Sequence, residues 1–169
     1  HYNDASRVCK ELLELNTDDG KERLVIGLMV NRRGEVEFRE PLERFDTAER
    51  LRPYIFEIYV KSTAKQGKHD QAIKLVDGLI KKKNDWIDHH LKGWVLKEAG
   101  KLDDAAGVYE NIIKQVGNDP RLEDDEKDLY IDRFRYEVSN VYVDLKKIDR
   151  ASEHLEYLLK KRPNDPMYY

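Results

Sequence analysis

The sequence predicts an all-α chain built from stacked helix pairs. Two observations carry that prediction. A pattern, Gly-Lys-x-Asp-x-Ala, recurs after 33 residues, and the apolar residues that follow each copy are spaced for a helix rather than a strand. Composition agrees: of 169 residues, 38% are charged and 40% hydrophobic, which fits a soluble helical domain with a thin core and a large solvated surface.

The clearest copies are KQGKHDQAIKLVDGLI, residues 65–80, and EAGKLDDAAGVYENII, residues 98–113. They align Gly67, Lys68, Asp70 and Ala72 with Gly100, Lys101, Asp103 and Ala105. A later copy, KIDRASEHLEYLL at 147–159, keeps Asp149, Ala151, Leu155, Leu158 and Leu159. An earlier one, YNDASRVCKELL at 2–13, keeps Ala5, Cys9, Leu12 and Leu13. The alanines fall at 5, 72, 105 and 151, which is two periods, one period, and one period with about a dozen residues inserted.

Taken in order, residues 1–18 read as the second helix of a cut repeat. Residues 19–52 form a degenerate repeat. Gly27 and Gly34 are seven apart, as are Gly93 and Gly100, but Arg39 stands at the alanine position and Pro41 follows. Within it, 21–32 reads as a helix, with a β-hairpin across Asn31-Arg32-Arg33-Gly34 as the alternative. Residues 53–85 and 86–118 are one repeat each. Residues 119–165 are a repeat with an extended first helix, opened by the acidic run LEDDEKD at 122–128 and reaching about Leu145. Asp165 and Pro166 start a further repeat at 166–169. The expectation is a single domain, 1–169, cut from a longer solenoid.

The physics of a unit is simple. Glycine at the first helix's end tolerates the left-handed conformation that a helix C-terminus prefers. The Asp is expected to cap the second helix. A small Ala lets the two helices approach closely, and larger apolar side chains three and four residues on fill the gap. One pair cannot bury its apolar face alone, so pairs stack.

On Gly67, Ala72, Leu79, Gly93, Gly100, Ala105, Tyr109, Ile112, Ala151, Leu155, Leu158 and Pro163, the chain resembles a tetratricopeptide repeat (TPR) protein. Two departures stand out: Lys146 replaces the turn glycine in the last full unit, and Pro163 is the only signature proline closing a unit. The resemblance implies a right-handed α-α superhelix, a TPR-like solenoid of about four helix pairs with one degenerate. It also implies a concave face lined by the first helices, which binds an extended peptide or a partner helix. In this register that face carries Tyr54, Glu57, Lys61 and Lys65, then His90, Trp94 and Lys97, then Arg133, Tyr136 and Asn140. The predicted partner-binding residues are Lys61, Lys65, His90, Trp94, Lys97, Arg133, Tyr136 and Asn140, with the aromatics as anchors flanked by cations. Some members of the family grip a C-terminal carboxylate with a Lys and Asn set. Here the matching positions hold Glu57 with Lys61 and His90 with Trp94, and Asn140 alone agrees in type.

Other chemistry finds little support. The net charge of −3 does not argue for nucleic acid, and no apolar run reaches the ~20 residues a membrane span needs. In DWIDHHLKGW, residues 85–94, the two histidines are adjacent and diverge by about 100° on a helix, so no metal is expected. Cys9 reads as a small buried hydrophobe. A lone cysteine excludes an internal disulfide and fits a reducing compartment such as the cytoplasm. Lys81-Lys82-Lys83 and Lys160-Lys161-Arg162 read as cations at helix C-termini. No Gly-rich phosphate loop and no nucleophile arrangement is visible, so no catalytic residue and no cofactor is expected. The function predicted is a non-catalytic protein–protein interaction scaffold. The alternatives are self-assembly through open solenoid ends, giving a homo-oligomer, and a substrate-presenting domain of a larger enzyme.

Overall fold

A computed structural model describes residues 3, 4, 7, 9, 10 and 48–163. Most of the degenerate repeat at 19–52, with its choice between helix and hairpin, and the expected repeat start at 166–169 lie outside the described residues. Among those described there is no strand, and 48–163 carries six helices: α1, Ala48–Lys65; α2, His69–Lys83; α3, Trp86–Glu98; α4, Leu102–Gly117; α5, Asp124–Asp144; and α6, Ile148–Lys161. For the described residues the all-α expectation holds.

The chain divides into two compact units, 1–68 and 69–169. The division falls in the turn between α1 and α2, inside the segment whose spacing reads as one repeat. In the first unit, residues 3, 4, 7, 9 and 10 are helical and Cys9 is buried. Along α1, Tyr59, Val60, Ser62, Thr63 and Ala64 are buried. The Thr63 hydroxyl donates to the Tyr59 carbonyl one turn back, at 2.7 Å, so this polar side chain is satisfied inside its own helix.

In the second unit each helix packs on the next along the chain: α2 on α3, α3 on α4, α4 on α5, and α5 on α6. The core runs through these interfaces and contains Trp86, Leu96, Ala105, Tyr109, Ile112, Val116, Phe134, Val138, Val141 and Ala151. At the partly exposed edge of the α4–α5–α6 interface, Glu110 accepts from the Tyr142 hydroxyl at 3.1 Å and from Arg150 at 3.2 Å. Arg135 Nη1 lies 3.3 Å from Nδ1 of the buried His154. A guanidinium only donates, so Nδ1 accepts, and Nε2–H is left to donate to Glu110 at 3.1 Å.

The three alanines of the sequence pattern behave alike: Ala72 and Ala105 are fully buried and Ala151 nearly so. The position seven residues before each turn, occupied by Val60, Gly93 and Ser139, is buried in every copy. Gly93 is there for want of space: a Cβ would lie 3.0 Å from Cζ of Tyr109.

The turns show why the pattern recurs. At Gly67 (φ +78°) the N–H donates to Ala64 O, and the next N–H, of Lys68, reaches back to Thr63 O. At Gly100 (φ +71°) the same two bonds run to Lys97 O and Leu96 O, and at Lys146 (φ +59°) they run to Val143 O and Tyr142 O. These are three identical left-handed helix stops. The departure noted at Lys146 changes the residue and leaves the geometry intact.

One expectation needs correcting. The Asp of the pattern does not cap the second helix. The residue at the N-cap position is Lys101 in α4 and Lys147 in α6, and neither makes a side-chain cap bond. The left-handed stop turns so tightly that the next helix begins at once. Asp103 and Asp149 therefore fall inside its first turn, as does Asp70 in α2. There they complement the helix dipole, and two of them reach along the chain. Asp70 accepts from Lys101 Nζ at 3.1 Å, and Asp103 from Lys147 Nζ at 2.6 Å. The Asp of one copy thus pairs with the Lys of the next, twice in succession.

The insertion is also accounted for. α5 has 21 residues where α3 has 13, and the connection ahead of it runs 118–123 where the one ahead of α3 is 84–85. The acidic run opens α5 as expected, with the Glu126 carboxylate accepting from Glu123 N–H at 3.0 Å. The basic run at the end of α6 ties that helix to α5: Lys161 pairs with Asp128 at 3.1 Å and Asp132 at 3.0 Å, and Arg162 with Asp132 at 3.1 Å.

Candidate functional site

A concave feature of the second unit forms where the α2–α3 turn meets the insertion loop. α2 ends at Asn84, whose positive φ of 49° and N–H bond to Ile80 O, at 2.7 Å, stop the helix. Asp85 then caps α3 through Ile87 N–H, at 3.3 Å. Residues 118–123 fold back over this start. Trp86 Nε1 donates to Asp119 at 3.0 Å, inside the protein. Arg121 forks between two carboxylates: it bonds Asp119 at 2.6 Å through Nη2 and Asp85 at 2.9 Å through Nη1.

Arg121 holds the Asp119 carboxyl far below the usual carboxylate range through its side-chain bonds, with its backbone N–H and Trp86 helping. It lowers Asp85 in the same way, against some desolvation. Asp88, one turn on, moves the other way: burial raises it, and one of its oxygens is enclosed without a hydrogen-bond partner. Burial also lowers His89, whose Nε2 lies 3.0 Å from Asn84 Oδ1.

These elements enclose an open cleft of about 650 Å3. One wall is Lys83, Asn84, Asp85 and Trp86; the other is the α4 face of Asn111, Lys114, Gln115 and Asn118, closed by Asp119-Pro120-Arg121. It donates and accepts hydrogen bonds, and its charged lining is Lys83, Lys114 and Arg121 against Asp85 and Asp119. The sequence alone does not reveal it. Asp119 and Trp86 are 33 residues apart, one repeat, but nothing in either residue announces the pairing.

The partner-binding residues inferred from the repeat register are placed as follows. Lys61 and Lys65 lie on α1 in the first unit, and Lys61 pairs with Glu57 at 2.6 Å. The side chain of Tyr54 lies outside those described. His90, Trp94 and Lys97 lie on α3, and Arg133, Tyr136 and Asn140 on α5. α3 and α5 touch through rings: Trp86 lies against Tyr130 (4.9 Å) and Phe134 (5.8 Å), and His90 against Phe134 (5.2 Å). The two triplets therefore sit on neighbouring helices. His90 turns its ring into this contact and toward Tyr109. Trp94, Lys97, Tyr136 and Asn140 are half-buried, and Arg133 is exposed.

Among the described residues, no group of three or more His, Cys, Asp or Glu is placed to hold a metal ion, and no helix is long and apolar enough to cross a membrane. Compared with protein-family models and with curated proteins, the chain matches none. What stands is a set of described residues whose secondary structure is all helical and whose local geometry recurs with the sequence pattern.

Proposed function

We propose that this chain is a non-catalytic protein–protein interaction scaffold, a TPR-type solenoid that holds a partner's extended peptide or helix against the α3 and α5 faces. The observation that carries the reading is the recurrence of one local geometry: the stops at Gly67, Gly100 and Lys146, the buried Ala72, Ala105 and Ala151, and the Lys–Asp pairs between successive copies. Such recurrence is what a stacked-repeat architecture requires. Trp94 and Tyr136, with Lys97, Arg133 and Asn140 around them, supply the aromatic and cationic side chains that dominate binding surfaces. Helices already stacked before a partner arrives reduce the ordering cost of association.

The test is a pull-down from the source cell's lysate with this chain and with a Trp94→Ala, Tyr136→Ala double variant, helicity being checked by circular dichroism. The reading expects a partner held by the parent and lost by the variant at unchanged helicity. Identical capture by both sinks it. So does capture by neither with particle size growing with concentration, which would leave self-assembly as the function.

A further inference from the structure

The cleft beside the insertion loop is not part of the α3–α5 face, and its chemistry is different. Asn111 and Gln115 stand at i and i+4 on α4, and Asn118, the residue that ends the helix, follows at i+7 with its Nδ2 donating to Lys114 O at 2.9 Å. Three carboxamides in a row are unusual lining. Each carries donors and an acceptor side by side, the same complement that an extended peptide backbone presents along its edge. The spacing agrees: seven residues of helix rise about 10 Å, the length of about three extended residues.

Two further observations point to a ligand. Gln115 Oε1 is enclosed yet accepts no hydrogen bond, which is costly in a folded chain unless something else donates to it. Lys83 and Lys114 flank the carboxamides from opposite walls. The remaining cation, Arg121, is already committed to Asp85 and Asp119. The fork itself therefore keeps one net negative charge, and Lys83 and Lys114 bring the lining as a whole to a net charge of +1, which favours a negatively charged ligand. At about 650 Å3, the volume lies within the range of ~300–1,000 Å3 common for ligand sites.

From this geometry we propose that the cleft binds a short, extended acidic peptide segment. Asn111, Gln115 and Asn118 pair with its backbone, and Lys83 and Lys114 with its acidic side chains. The Asp85–Arg121–Asp119 fork keeps the loop wall rigid, so the site is formed before the peptide arrives. This inference does not depend on the α3–α5 face being a binding surface.

The experiment follows the side-chain amide resonances of Asn111, Gln115 and Asn118 in the intact chain while an acetylated hexapeptide alternating serine and aspartate is added. The expected result is a saturable shift of all three. A Lys83→Met, Lys114→Met double variant, whose changes are exposed, weakens it about ten-fold, as the loss of two surface charge pairs implies. The same peptide with asparagine in place of aspartate is weakened similarly, and Gln115→Met reduces binding without lowering the unfolding midpoint, since it removes an unsatisfied buried acceptor. The proposal is overturned if no shift saturates at millimolar peptide, or if the lysine variant binds as the parent does. It is equally overturned if inorganic phosphate at matched ionic strength, or maltotriose, produces the same saturable shifts while the peptide does not.

Discussion

Replacing Lys146 by glycine should make the protein more stable. Lys146 holds φ at +59°, where an L-residue is strained by about 1–2 kcal/mol through the clash of its Cβ with the following carbonyl. Its side chain is exposed, so little contact is lost on removing it. Glycine brings a cost of its own, because the unfolded chain gains freedom worth about 0.4–1 kcal/mol. The difference leaves a net gain of about 0.5–1 kcal/mol. For a chain of this size that raises the unfolding midpoint by about 1–4 °C, readable by far-UV circular dichroism on heating. The equivalent turn supplies the control: Gly100, at φ +71° with the same two backbone bonds, replaced by lysine should lose about 0.5–1 kcal/mol, the same balance with its sign reversed. If Lys146→Gly lowers the midpoint, or Gly100→Lys leaves it unchanged, the two turns are not energetically equivalent and the repeat reading of them is wrong.

Three other outcomes follow from the same geometry. Gly93→Ala puts a methyl 3.0 Å from Tyr109 Cζ; overpacking of about 1–3 kcal/mol, less ~1 kcal/mol of improved helix propensity, should leave the variant less stable in urea, and Tyr109→Leu should cost less in that background than in the parent. Asp119, held by Arg121 well below the usual carboxylate range, contributes stability that is complete above the ordinary carboxyl pKa and is lost as pH falls below about 4; urea midpoints measured down to strongly acidic pH should therefore fall more steeply for the parent than for Asp119→Asn. The Lys147–Asp103 pair is exposed on both sides, so a double-mutant cycle should return a coupling of about 0.2–1 kcal/mol that vanishes near ~1 M salt.

Much of the helix layout could be read from the chain because it is written in local chemistry. Glycine in a left-handed turn, alanine at a close approach and leucine at helical spacing each act within a few residues, so 67, 72, 100, 105 and 151 mark their elements unaided. The Asp at the head of each copy was legible as a helix-start residue but not in its task, because a cap and a first-turn residue differ by two positions that the tight turn decides. The long α5 was legible from its acidic start. The cleft was not. It depends on Arg121 meeting Asp85 across 36 residues and on Trp86 meeting Asp119 across 33, and such pairings follow from how helices stack rather than from any residue's own preference. The same holds for His90: its helix position is evident from the register, whereas its ring contact with Phe134 depends on the neighbouring helix.

The Lys–Asp pairs give the chain a grammar for changing length. Asp70 meets Lys101 and Asp103 meets Lys147, so any copy presents to its successor the same acid that the copy before it presented. Excising the stretch between two equivalent positions would bring Lys147 opposite Asp70 with the pairing rule intact. Duplicating that stretch would add one more pair of the same kind. Genetic slippage by a whole repeat therefore yields junctions already compatible with their neighbours, whereas slippage by a single residue rotates every later side chain by about 100° around its helix and breaks them all. The first kind of change keeps these junctions, and the 46-residue spacing before Ala151 places this chain's extra length in a loop and along one helix, without disturbing the turn that follows.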